Sequence, residues 1–258
     1  MMDIYQHFRK EEQPFIDQVL SWKEEVSRNH IYKLSDFLDP REQMIFTTLI
    51  GKDPEFTHSV FGGDPKAERK KAILAPFYET IAPDRFEITL LEASYPEKFV
   101  SLEHRDVLGA FLSLGIQRKK LGDLIAKDGK IQILVSSDIS PYVLTNLTEI
   151  KKAKVQFKEV SLDKKLSDDS DWIAQESTIS SLRLDVVMKE TYRMSRQQAS
   201  MYIQKGLVKV NFRPVEDPSF TIQQEDMISV RGKGRSRLKS IEGVTKKEKY
   251  KVTIEKLK

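Results

Sequence analysis

Residues 182–213, LRLDVVMKETYRMSRQQASMYIQKGLVKVNFR, constrain the fold more than any other stretch, because they read as two short helices and a strand in fixed order. Ser195 and Gln198 have capping-box spacing, in which each side chain satisfies an orphan backbone donor at a helix start. The helix that follows places Ala199, Tyr202 and Ile203 on one side, at i, i+3 and i+4. Gly206 stops it, since the residue after a helix commonly needs positive φ. Val208 and Val210 then alternate with Lys209 and Asn211, the period of a half-buried strand.

The apolar positions account for the core, and the remainder is cationic: Arg183, Lys189, Arg193, Arg196, Lys205, Lys209 and Arg213. A helix N-terminus carrying Arg196 among other Lys and Arg residues suits a phosphate backbone. The charge along the chain agrees. Residues 1–181 hold 25 Lys and Arg against 30 Asp and Glu, whereas residues 182–258 hold 18 against 9. A protein that is basic for solubility would spread its charge. Here the balance moves from −5 to +9, so one end is expected to meet a polyanion.

This stretch resembles the S4-type RNA-binding domain, on Arg183-Leu184-Asp185, Ser195-Arg196, Ala199, Ile203, Gly206, Val208-Lys209-Val210-Asn211, Pro218-Ser219 and Asp226. The resemblance implies RNA contact through Arg196 above all, helped by Arg183, Lys189, Arg193, Ser195, Lys205, Lys209, Asn211 and Arg213. Two positions depart from the family pattern. Phe212 and Glu225 stand where the family usually has Gly, which predicts a different turn after Asn211. Asp185 reads as structural, pairing locally or capping its helix. An Arg-Leu-Asp also carries the catalytic aspartate of pseudouridine synthases, but Val186-Val187-Met188 do not continue that motif. Arg231-Gly232-Lys233-Gly234-Arg235-Ser236-Arg237 reads as a basic loop after the strand Met227–Val230, extending the same RNA face with Arg231, Lys233, Arg235 and Arg237.

Upstream, an α+β organisation is expected. Residues 1–82 read as mostly helical, with Phe15, Val19, Trp22 and Val26 on one face. A second helix there is opened by Asp39, Pro40 and Glu42 and buries Met44, Ile45 and Leu49. Residues 56–61 read as a strand. Residues 83–162 alternate as β-α-β-β-α-β, the ferredoxin-like or RRM-like order, with a turn at Asp128-Gly129 and a second helix over 137–150. The third strand, Lys130–Val135, lacks the aromatics with which RRMs stack bases, so this domain is expected to be a scaffold or protein contact. Residues 163–181, acidic at Asp168, Asp169 and Asp171, read as a linker to the S4 domain over 182–258. With Gly62-Gly63-Asp64-Pro65-Lys66-Ala67-Glu68-Arg69, a loop or a turn presenting a basic helix, this plan is similar to that of the bacterial YlmH family.

Several classes are excluded or disfavoured. There is no cysteine, hence no disulfide, thiolate chemistry or cysteine-held zinc. His7, His30, His58 and His104 lack metal-ligand spacing, and no phosphate-loop or dinucleotide fingerprint is present, so no cofactor is expected. No apolar run reaches about 18 residues, and no secretory signal opens the chain, which predicts a cytoplasmic protein without a membrane span. The resemblance implies a non-enzymatic protein whose RNA is that of the large (50S) ribosomal subunit, with or without tRNA, in ribosome rescue or quality control. An RNA-modifying enzyme and an adaptor for cell-division proteins are the alternatives.

Overall fold

Short-range signals act where the sequence places them. Helix α1 spans Gln13–Asn29 and α2 spans Pro40–Ile50. At the start of α2, Asp39 accepts from the Glu42 amide at 2.9 Å while the Glu42 carboxylate accepts from the Asp39 amide at 2.7 Å, with Pro40 at the first position. The computed structural model describes residues 8, 10–51, 53–166, 172–245 and 247–257. Its contacts divide the chain into two units, residues 1–168 and 169–258.

In the first unit, strands β1 (Lys33–Leu34), β2 (Phe56–Phe61) and β3 (Lys71–Pro76) form a sheet of order β1-β3-β2, so the N-terminal region carries more strand than its helical periodicity announces. Every residue of β3 is buried. Ala72 and Leu74 pack with α1 and α2, and Ile73 and Ala75 pack with Phe86 on the opposite side. A strand buried on both faces shows no alternation to read. Met44, expected inside α2, is exposed, while Ile45, Phe46 and Leu49 are buried.

The same unit continues with β4 (Ile88–Ser94), α3 (His104–Ser113), β5 (Leu121–Lys127), β6 (Lys130–Ser136), α4 (Ser140–Asn146) and β9 (Lys158–Val160). A hairpin of β7 (Glu149–Ile150) and β8 (Ala153–Lys154) lies between α4 and β9. The sheet order β5-β6-β4-β9, with antiparallel neighbours, is the ferredoxin-like arrangement. Asp128 and Gly129 both take positive φ between Lys127 and Lys130, as a two-residue hairpin of type I′ requires. The expected helix over 137–150 is cut short. After Asn146 the chain turns into β7 and β8, where Ile150 and Ala153 are buried in the core that holds Leu147. On α3, Val107 and Phe111 are buried and Leu112 is exposed.

The second unit is a six-stranded antiparallel sheet, order β10-β15-β14-β13-β11-β12, covered on one face by α5 (Leu184–Tyr192) and α6 (Arg196–Gln204). Its strands are β10 (Trp172–Ile179), β11 (Val208–Val210), β12 (Arg213–Pro214), β13 (Met227–Val230), β14 (Gly234–Val244) and β15 (Tyr250–Leu257). Most of the described part of the expected linker is therefore strand: β10 pairs with β15 over eight residues, Trp172 opposite Leu257 to Ile179 opposite Tyr250. Asp168, Asp169 and Asp171 lie outside the described residues. The core is Val187, Ile203, Val208, Ile228, Leu238 and Val252 with their neighbours.

The turn after Asn211 corrects an expectation. Val210 pairs with Arg213, so Asn211 and Phe212 form a two-residue hairpin, and both take positive φ (48° and 65°). Phe212 thus adopts the conformation Gly would take, and Glu225 does the same at 68°. Each non-Gly residue held there costs roughly 1 kcal/mol. Glu225→Gly should leave the stability within about 0.5 kcal/mol of the original, because relief of the strain is offset by the entropy of a freer unfolded chain and the loss of an exposed pair with Lys239. Urea melts that show a loss of about 1 kcal/mol or more would refute strain at Glu225.

Candidate nucleic-acid interface

Arg183 is the residue before α5, Asp185 lies in its first turn, and Arg196 is the first residue of α6. The structure joins all three. Arg183 donates to both Asp185 carboxylate oxygens at 3.1 Å, and Arg196 Nε donates to Oδ2 at 2.8 Å. Asp185 is 2% exposed, whereas the side chains of Arg183 and Arg196 are 38% and 57% exposed. A buried carboxylate thus holds two outward-facing guanidiniums, and the trio keeps one net positive charge. Burial pushes the Asp185 carboxyl up, but hydrogen bonds and charge from Arg183 and Arg196 outweigh it and hold the group below the ordinary range. The segment after Asp217 locks the site from the other side. Leu184 and Asp185 donate their amides to the carbonyls of Phe220 and Pro218, and Ser219 donates to Asp217.

Around this triad, Lys189 is exposed on α5 and Arg193 ends that helix in left-handed conformation, freeing the chain to start α6 three residues later. Ser195 is the N-cap of α6. Its hydroxyl accepts from the Gln198 amide at 3.1 Å, and Gln198 Oε1 accepts from the Ser195 amide. The hydroxyl is therefore engaged in the cap. Lys205 is exposed at the far end of α6, and Gly206 follows at φ 67°.

Asn211 is committed to the turn. Its amide nitrogen donates to Asp226 at 2.7 Å, and its side-chain oxygen accepts from the Met227 amide at 2.8 Å. The remaining cations do not continue the helix-side surface. Val208 and Val210 face the helices, so Lys209 projects from the opposite face of the sheet. The expected basic loop shrinks to Arg231–Lys233, a turn between Val230 and Gly234 in which Arg231 and Lys233 are exposed. Arg235 and Arg237 belong to β14, on the face away from Ser236 and Leu238, and so lie with Lys209. Arg213 is exposed on the edge strand β12. Strand alternation alone divides these residues into two sets; it is the signal by which the division could be read from sequence.

Sequence reasoning has no hold on two further residues of the outer face. Trp172 lies under Arg237, whose guanidinium is 4.7 Å from the ring centroid, and Phe212 lies 5.6 Å from that of Arg235. Nothing in the linker-like run around Trp172 marks it as part of a sheet.

The first unit presents no comparable surface on its ferredoxin-like sheet. The face that RRMs use for bases is filled by Phe37, Leu90 and Leu134, all buried, with Ile88, Val160 and Leu162 packed around them. Gln132 on the same sheet is bound to Glu92, Lys164 and Leu166. The Gly62-to-Arg69 segment helps to seal it. Asp123 accepts from the amides of Glu68 and Arg69 at 2.8 and 2.9 Å, and Arg69 donates to the carbonyls of Leu121 and Phe37. A Cβ on Gly62 would lie 2.4 Å from the Arg69 carbonyl oxygen, so this close approach needs glycine. The segment is the connection between β2 and β3, and its arginine is engaged internally. Among the described residues no helix is long and apolar enough to cross a membrane.

Residues 82–164 match the family described as the putative RNA-binding domain in YlmH, and residues 182–228 match the S4 domain. The chain is 44% identical, over all 258 residues and the full length of both proteins, to ribosome-associated protein quality control protein P2 of Bacillus subtilis (strain 168). The solved structure of cell division protein ylmH from Streptococcus pneumoniae is similar at 26% identity and a TM-score of 0.56, covering 64% of this chain and 99% of that one. Both domain matches fall in the expected order, and the likeness runs from end to end: the chain belongs to the YlmH family of RNA-binding, S4-domain proteins.

Proposed function

We propose that this protein acts by binding alone, docking structured RNA of the large ribosomal subunit, with tRNA as the second element, during ribosome-associated quality control. The observation that carries the reading is the Arg183–Asp185–Arg196 triad at the start of α6. Two guanidiniums fixed by a buried carboxylate are poised for paired donation to phosphate oxygens, and the cost of ordering them is met in the folded state. Lys189, Arg193 and Lys205 add charge on the helix side. The name of the Bacillus relative supports the ribosomal setting and, with it, a cytoplasmic location.

If about 4–6 phosphates are neutralised, log K for RNA falls with log salt at a slope of roughly −3 to −5. Arg196→Ala should weaken binding about tenfold and flatten the slope by about 1, with the melting temperature lowered by only a few degrees because Asp185 keeps its two bonds from Arg183. A wild-type affinity indifferent to salt sinks the electrostatic docking. Sedimentation of the native protein with 50S particles, and crosslinking in cells followed by sequencing of the attached RNA, test the target. The name of the pneumococcal structure favours a role beside cell-division proteins, and co-sedimentation with those in place of 50S particles would establish that reading.

A further inference from the structure

The sheet of the second unit has two faces with different chemistry. The inner face is closed by α5 and α6. On the outer face, directly opposed residues share a side: Lys209 faces Ser229 and Ser229 faces Arg235, while Met227 faces Arg237, Arg237 faces Glu255 and Glu255 faces Ala174. None of these outer-face side chains is buried. Two guanidinium–aromatic stacks stand on this open surface, Arg235 on Phe212 and Arg237 on Trp172. They rise from positions two apart on one strand, about 7 Å from each other. Glu255 pairs with Arg237 and holds it over the indole. Phe212 is kept in place at the expense of a left-handed backbone.

We infer that this outer face is a second RNA surface that takes unpaired nucleotides, stacking bases on the Arg235–Phe212 and Arg237–Trp172 plates while Lys209 meets phosphate. It rests on the RNA-binding reading above and goes beyond it, because the triad is suited to the backbone of folded RNA and carries no aromatic. Base stacking on aromatic rings and guanidinium planes is how single strands are held without sequence readout. A protein strand or helix docked here would need a continuous apolar patch, whereas the apolar Met227 and Ala174 on this face are separated by the paired charges of Arg237 and Glu255. With the triad on the helix side and the plates on the sheet side, one S4 unit can hold folded and unpaired RNA at once.

The test uses the full chain carrying Trp22→Phe, so that Trp172 is the sole indole, titrated with hexa-adenylate and separately with a blunt RNA hairpin. Hexa-adenylate should quench Trp172 emission saturably, and excess hairpin should not displace it. Phe212→Gly keeps the positive-φ turn and removes one plate; it should weaken hexa-adenylate about fivefold to thirtyfold and leave hairpin affinity unchanged. Arg237→Gln should do the same without shifting the melting temperature by more than a few degrees. Hairpin binding with no response to hexa-adenylate overturns the second surface and leaves the triad reading standing; so does a Phe212→Gly loss that is equal for both RNAs. If neither RNA binds, both readings fail together.

Discussion

Asp185→Ala should weaken the binding of structured RNA about tenfold or more although it makes the protein more positive by one charge. The sign of this effect discriminates between two views. If affinity followed net charge alone, removing a carboxylate would tighten binding. If affinity follows the fixed positions of Arg183 and Arg196, it must fall, because both lose their shared anchor at 2.8–3.1 Å. The fold should lose roughly 2–4 kcal/mol. The lower part of that range reflects the exposure of both guanidiniums, which regain water when the carboxylate is gone. Asp185→Asn keeps the shape and removes the charge, so it should recover packing but not RNA affinity. Urea melts and filter binding measure the two effects; tighter RNA binding by Asp185→Ala would overturn the positioning role. The pH dependence follows from the same contacts. Because the folded-state pKa lies below the ordinary value, the stabilisation is complete above the unfolded-chain value of about 3.9 and is lost as pH falls through the folded value. The triad therefore persists at neutral pH and is released only in acid.

What could be read from the sequence was local. The caps at Asp39 and Ser195, the turn at Asp128-Gly129 and the stop at Gly206 each depend on a few neighbouring residues, and each forms as its spacing predicts. The β-α-β-β-α-β order and the S4 core were legible because alternation and helical period survive where one face is polar. Strand β3 was not, since burial on both sides erases the period. Strand β10 was hidden for the opposite reason: as an edge strand most of whose residues are exposed, its composition is that of a linker. The helix expected over 137–150 failed because Leu147 and Ile150 keep helical spacing while the backbone between them turns into a hairpin. The site divides in the same manner. The cations were identifiable singly, but Asp185 meets Arg196 across 11 residues and Trp172 meets Arg237 across 65, and no short-range rule links such pairs. The turn at Phe212 marks a further boundary, since propensity argued for a changed turn and tertiary pairing imposed the old one.

Phe37→Ala should destabilise the first unit by about 3–4 kcal/mol without giving it any affinity for single-stranded RNA. Phe37 is 1% exposed and lies against Leu90 and Leu134 on the sheet face that RRMs leave open. Its ring comes so close that a Cβ on Gly122 would sit 2.7 Å from it, so little slack exists to refill the cavity. The backbone on either side is pinned, with the Phe37 amide donating to the Lys119 carbonyl at 2.8 Å and its own carbonyl accepting from Arg69 at 2.6 Å. Collapse into the void is thus restricted, which places the loss in the range for large-to-small core substitutions. Two roles for this domain then separate by one variant. Were its sheet a base-binding surface held shut by Phe37, removing the ring would expose it, and hexa-adenylate affinity would rise as stability fell. The residues packed with the ring, Leu90, Leu134, Ile88 and Leu162, are however aliphatic and give a base no ring to stack on. Chemical denaturation and oligonucleotide titration of the same variant should therefore show a lower midpoint and an unchanged binding curve. That outcome assigns this face of the sheet to holding the fold together and not to stacking bases.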